Sequence, residues 1–265
     1  MKKENRVLYG TADCRVDWDE MKKCWKVGFP QGIFSALEIF GWAVFYWMMT
    51  SLSEKHITVS SICQSFTIFL SFFCDGLCRG AAAVAGNFIG SRRHDLVNRV
   101  LRSGFILLLI FAAVSFLVLV VDPVDTVRLL FFEHFEEGRL VGTIDASLAS
   151  SLKICMIFAF TYIFFDGIRW VLGGLLTAAG DTLFLLIAGS LSVWIFLLAP
   201  VYLIVVRHQL PVEYAWGLSV AYAALFFLIY WIRFKRGAWR KIDLLTPPRT
   251  EPNKAQEPVP ADRPE

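Results

Sequence analysis

Six long apolar runs, separated by short polar or charged stretches, account for most of the chain, at about residues 29–51, 59–89, 103–121, 148–176, 183–206 and 214–232. Each is close to or above the ~20 residues a helix needs to cross ~30 Å of hydrocarbon, and none has the ten-residue alternation of a barrel strand. A helix satisfies every backbone N–H and C=O within its own segment, which hydrocarbon demands. The pattern therefore predicts an all-α integral membrane protein, a six-transmembrane-helix bundle over residues 28–243.

The flanks read differently. Residues 1–27 are polar and basic (Lys2, Lys3, Arg6, Arg15, Lys22, Lys23, Lys26), lack the apolar stretch of a signal peptide, and include a segment at 16–26 suited to a short surface helix. Pro30 falls where the first span starts, a position at which a missing N–H does little harm. The connection at 122–147 is acidic, with an apolar patch at 129–132 that suits the interface. Residues 244–265 are rich in proline without an apolar run and predict a disordered tail. Lys and Arg number sixteen in the N-terminal segment, second loop and C-terminal segment together, against four in the alternate loops, so both termini are expected in the cytoplasm of a multi-pass plasma or inner membrane protein.

Composition agrees with the pattern: 56% of the residues are hydrophobic, with 24 Phe and 9 Trp, too apolar for an ordinary soluble domain. The net charge of +3 sits in clusters that topology explains, and no nucleic-acid partner is implied. The six cysteines lie mostly in apolar sequence, and no Cys/His pair has zinc-ligand spacing, which argues against a bound metal cofactor. His56, His94, His134 and His208 fall in loops or at span ends and read as solvated. No catalytic constellation is present, and an enzyme is not expected.

The candidate chemistry lies inside the spans. Charge at bilayer depth costs roughly 2.5–3.5 kcal/mol or more, so ionisable residues there mark polar interiors. They are Glu38 in the first span, Asp75 and Arg79 in the second, and Asp166 and Arg169 in the fourth. Tyr162 and Asp166 stand four residues apart and share a helix face, where a phenol and a carboxylate could jointly offer oxygens to a cation. Asp75 and Arg79 have the same spacing, which allows a simple ion pair or a share in a polar cavity. Asp166 and Arg169 could likewise do no more than pair and pin helices together. A desolvated acid in a water-accessible cavity exchanges a proton for Na⁺ or a cationic substrate, which is the physics of an antiporter.

With these residues in place, the chain resembles the multidrug and toxic compound extrusion (MATE) family over about residues 15–243, and in detail the second six-helix half of such a transporter. The likeness rests on Gly28-Phe29-Pro30 followed by Glu38, on Tyr162 with Asp166, on Gly86-Asn87-Phe88-Ile89-Gly90, on the run from Gly174 to Gly180-Asp181-Thr182, and on the closing stretch Arg233 to Trp239. Thr177 and Ala178 stand where the family carries Arg-Gly. The resemblance implies cation binding by Glu38, Tyr162 and Asp166, with H⁺ or Na⁺ as coupling ion and possible Na⁺ contact at those three residues. It further implies efflux of organic cations and a second six-helix lobe, from a separate chain or a second copy, without which one bundle cannot enclose a pathway. A lipid-linked sugar flippase of the same superfamily is the nearest alternative, with Arg79 and Arg169 suited to an anionic head group. A truncated, non-transporting membrane scaffold is the other.

Overall fold

The computed structural model describes residues 18–119, 135–136, 139–140 and 146–242. Six helices long and apolar enough to cross a membrane dominate it: α1 (Trp18–Leu52), α2 (Glu54–Gly90), α3 (Val97–Leu119), α4 (Ala146–Ala178), α5 (Thr182–Val206) and α6 (Val212–Arg236). Among the described residues, a two-residue antiparallel pair, Phe135–Glu136 with Arg139–Leu140, is the remaining regular element apart from short 3-10 turns. The acidic connection with its patch at 129–132, and the tail at 244–265, lie almost wholly outside the described residues.

The boundaries move at the start of the chain. α1 runs unbroken from Trp18, so residues 18–27 are its first turns and not a separate surface helix, and Pro30 sits well inside it. No residue near 28 sets a left-handed or extended backbone that would end the helix, and a proline removes just one ladder hydrogen bond, the one to the Lys26 carbonyl. The 35 residues of α1 rise about 52 Å, more than the ~30 Å hydrocarbon thickness, so it projects from the bilayer. α3 also begins earlier than the apolar run suggests. Leu96, Val97, Leu101 and Leu108 are buried at helical spacing while Arg99 and Arg102 are exposed, an amphipathic entry that hydrophobicity alone does not reveal.

α4 is the centre of the bundle, packed against α2 on one side and α6 on the other. Helices in lipid gain little from hydrophobicity between themselves and rely on close packing at small residues. Gly174 supplies it: a Cβ there would lie 2.5 Å from the Cys78 carbonyl oxygen of α2. α1 packs chiefly against α5, where Gly189 makes room for the Phe34 ring. α5 widens into π-helical turns at Val193–Leu198 and Val201–Val206, on either side of Pro200, whose absent N–H breaks the regular ladder.

The turn between α4 and α5 is set by Gly180 at φ +80°, with Asp181 N–H donating back to the Leu176 carbonyl, a left-handed helix ending that glycine allows without strain. Asp181 is buried, and both of its oxygens accept from Arg233 of α6, at 2.8 and 3.0 Å. The Arg233 guanidinium also lies 4.8 Å from the centre of the Phe184 ring. One residue of the C-terminal basic cluster therefore clasps two helix ends together. Two histidines are likewise less solvated than their positions suggest. Nδ1 of His56 lies 2.7 Å from the Ser53 hydroxyl and its Nε2 3.0 Å from the Leu210 carbonyl, joining the head of α2 to the loop before α6. His94 packs beside Trp239. His208 is exposed, and His134 lies outside the described residues.

Candidate functional site

Tyr162, Asp166, Arg169 and Trp170 recur at helical spacing on α4, and all but Trp170 are at least nine-tenths buried. Such a stripe needs partners, because an unpaired charge removed from water costs several kcal/mol. Asp166 has two on its own helix: the Arg169 Nε donates to Oδ1 at 2.5 Å, and the Trp170 indole N–H donates to Oδ2 at 2.8 Å. Arg169 then reaches off the helix, its Nη2 donating to Oε1 of Glu38 on α1 at 3.0 Å. A guanidinium with a rigid fork of donors is suited to bridge two carboxylates in this way.

Glu38, Arg169 and Asp166 thus form one cluster of two carboxylates and one cation. Its two acids are not equivalent. The Asp166 side chain is 5% exposed with both oxygens engaged, while the Glu38 side chain is 18% exposed. Glu38 Oε2 accepts no hydrogen bond among the described residues.

Aromatic side chains enclose the cluster. The Arg169 guanidinium lies 4.6 Å from the Phe226 ring centre, a cation–π contact from α6. Tyr222 and Tyr230 flank Phe226 at four-residue spacing and are both 1% exposed. Both hydroxyls lie within electrostatic reach of Arg169 and Glu38; that of Tyr230 sits beside the Arg169 guanidinium, whereas that of Tyr222 meets no hydrogen-bond partner among the described residues. An orphan buried hydroxyl costs about 1–3 kcal/mol unless a water or a ligand meets it.

Tyr162 is brought to the cluster by its helix and lies within electrostatic reach of Asp166 and Glu38. It is buried edge-on against Trp42 of α1, with ring centres 5.4 Å apart, and makes no hydrogen bond to Asp166 among the described residues. Asp75 and Arg79 stand apart. The Arg79 Nε donates to Asp75 Oδ2 at 2.7 Å on the open face of α2, with side chains 37% and 77% exposed for the acid and the arginine. They form the i,i+4 ion pair that their spacing allows. Gly76 and Gly80 beside them face open space.

Trp170, Tyr222 and Tyr230 were not singled out by the sequence. Trp170 had a signal, since it lies four residues after Asp166 with a donor to offer. The α6 tyrosines had none, because two tyrosines in an aromatic-rich span read as packing.

A family model, MatE, matches residues 30–203. No protein of curated function matches the chain by sequence. Two solved structures share the fold. One is an outward-facing conformation of a multidrug resistance MATE family transporter of the MOP superfamily, at TM-score 0.67 and 17% identity. The other is a MOP superfamily transporter from Pyrococcus furiosus, at TM-score 0.67 and 18% identity, described as having a binding pocket of reverse polarity that suggests a different function. Each similarity covers 94% of this chain and 51% of the other, so the chain spans about half the length of these transporters.

Proposed function

The chain belongs to the MatE family, and from that premise we propose that it is one six-helix lobe of a cation-coupled efflux antiporter for organic cations. The observation that carries this reading is the buried Glu38–Arg169–Asp166 cluster, which links α1 to α4 inside a hydrocarbon-spanning bundle and is partly open at Glu38. Loading H⁺ or Na⁺ onto such a cluster changes its charge, and charge at low dielectric is a strong bias between two conformations. In this reading Glu38 and Asp166 carry the exchangeable charge, with Tyr162 and Trp42 forming the aromatic wall beside them. The buried hydroxyl of Tyr222, which has no hydrogen-bond partner among the described residues, supports a hydrated or ligand-accepting interior.

The pathway needs a second wall. The 51% coverage of the two solved transporters supports a second six-helix lobe, from a separate chain or another copy of this one. So does the Asp75–Arg79 pair, since an exposed ion pair within an apolar span favours a water-filled cavity or protein over lipid.

The test is efflux of a cationic dye from cells carrying the full chain, with and without Asp166→Asn. Loss of efflux is expected, and unchanged efflux in the variant would remove the cluster from the mechanism. A flippase for lipid-linked anionic head groups draws support from the exposed guanidinium of Arg79. Binding of anionic lipid pyrophosphates in preference to cationic dyes by the purified protein would favour it. A purely structural role draws on the closure of the three charges into one network, and an interior inaccessible to water at Glu38 would favour that reading.

A further inference from the structure

Resting on that reading and narrowing it, we propose that the Arg169 guanidinium is a tethered cation that already fills the cation position between Asp166 and Glu38, so that the site exchanges one proton, at Glu38, and does not take Na⁺. Three observations carry the inference. The first is occupancy. A metal cation shared by the two acids would have to lie between carboxylates that the guanidinium already bridges, and Trp170 holds the second oxygen of Asp166. The second is charge, since two carboxylates and one guanidinium sum to −1 and a single proton neutralises the cluster. The third is access, because Glu38 has an oxygen without a hydrogen bond among the described residues and the more exposed side chain, whereas a proton reaching Asp166 would have to displace a donor.

Among the described residues, the groups facing Glu38 include no cation other than Arg169. From α4 they are Arg169, Asp166 and Tyr162, and from α6 Tyr222 and Tyr230. On α2, Cys74 lies within electrostatic reach of Asp166 and Arg169, and Cys78 of Asp75 and Arg169.

In the step an O–H bond of a hydronium ion in the adjoining water breaks, a new O–H bond forms at Glu38 Oε2, and a neutral water is left behind. The Arg169–Glu38 ion pair becomes a hydrogen bond from a charged donor to a neutral acceptor, which loses the attraction between the two opposite charges. This bridge and the Trp42–Tyr162 ring contact both join α1 to α4. Protonation therefore loosens α1 from α4 while Arg169 stays anchored to Asp166.

The experiment is infrared difference spectroscopy of the full chain in liposomes across a pH step, in choline and in Na⁺ buffers. A protonated-carboxyl band is expected that is absent in Glu38→Gln, that appears in Asp166→Asn only at lower pH, because that variant's cluster is already neutral, and that is unchanged by Na⁺ in the wild type. In Arg169→Gln the same band is expected to become suppressible by Na⁺. A band that survives Glu38→Gln, or that Na⁺ suppresses in the wild type, overturns the inference, and the latter leaves cation coupling intact. A wild-type spectrum responding to neither pH nor Na⁺ takes the antiporter reading down as well. Should Arg169→Gln fail to fold, the wild type and the two acid variants still decide between these outcomes.

Discussion

Replacing Arg169 with glutamine removes the cation from a cluster in which two buried acids depend on it. The guanidinium sits 2.5 Å from Asp166 and 3.0 Å from Glu38. At an effective dielectric of about 20, each ion pair at ~3 Å is worth about 5 kcal/mol before desolvation. Arginine recovers much of its own desolvation cost when it is lost, so the net penalty is expected in the range of about 3–5 kcal/mol measured for breaking buried pairs. With about 2–4 °C per kcal/mol for a chain of this size, the thermal midpoint of the purified protein in detergent should fall by roughly 6–20 °C. The double variant Arg169→Gln with Asp166→Asn leaves one uncompensated acid instead of two, and it should recover about 1–3 kcal/mol relative to additivity. Scanning fluorimetry of the four proteins in the cycle measures both quantities. A single-variant shift below about 2 °C, or a strictly additive double variant, would show that the charges do not depend on one another and refute the argument.

Three further outcomes follow from the same geometry. Gly174→Val should push α2 away from α4, because its Cβ would meet the Cys78 carbonyl at 2.5 Å, and is expected to cost about 1–3 kcal/mol, read as a lower midpoint and faster proteolysis. Trp170→Phe keeps the ring and deletes the donor to Asp166 Oδ2, so it should lose about 1–3 kcal/mol, less than Arg169→Gln in the same thermal assay. Arg233→Gln releases a bidentate pair whose arginine is one-third exposed, and should cost about 1–2 kcal/mol and speed hydrogen exchange at the start of α5; exchange unchanged from the wild type would exclude the clasp.

Much of the architecture is legible in the residues, because hydrocarbon imposes one solution on twenty apolar residues in a row. The six spans are present as read, and the departures occur where something other than hydrophobicity sets the boundary. Pro30 reads as a start signal, yet α1 forms through it, since losing one ladder bond does not outweigh the turns on either side. α3 starts six residues before its apolar run because Val97 and Leu101 bury one face of a turn whose other face carries Arg99 and Arg102.

The site was half legible. Intramembrane charge picks out Asp166 and Glu38 without any structure, and three-residue spacing suggests the Asp166–Arg169 pair. What spacing could not supply is the bridge from Arg169 to Glu38, which joins positions 131 residues apart and depends on how α1 lies against α4. That bridge changes the chemistry, since the arginine on Asp166's own helix turns out to serve both acids. Tyr162 shows the converse, as it shares a face with Asp166 but turns its ring to Trp42. A helix face fixes neighbourhood, and the rotamer chosen by packing fixes partners.

The most direct test of the central claim is gradient-driven dye efflux in cells carrying the full chain, comparing the wild type with Glu38→Gln and Asp166→Asn expressed at equal levels in the membrane. The account predicts that each substitution lowers efflux at least about tenfold, corresponding to ~1.4 kcal/mol or more of lost coupling. Efflux in both variants as fast as in the wild type, and as dependent on the ion gradient, would contradict it.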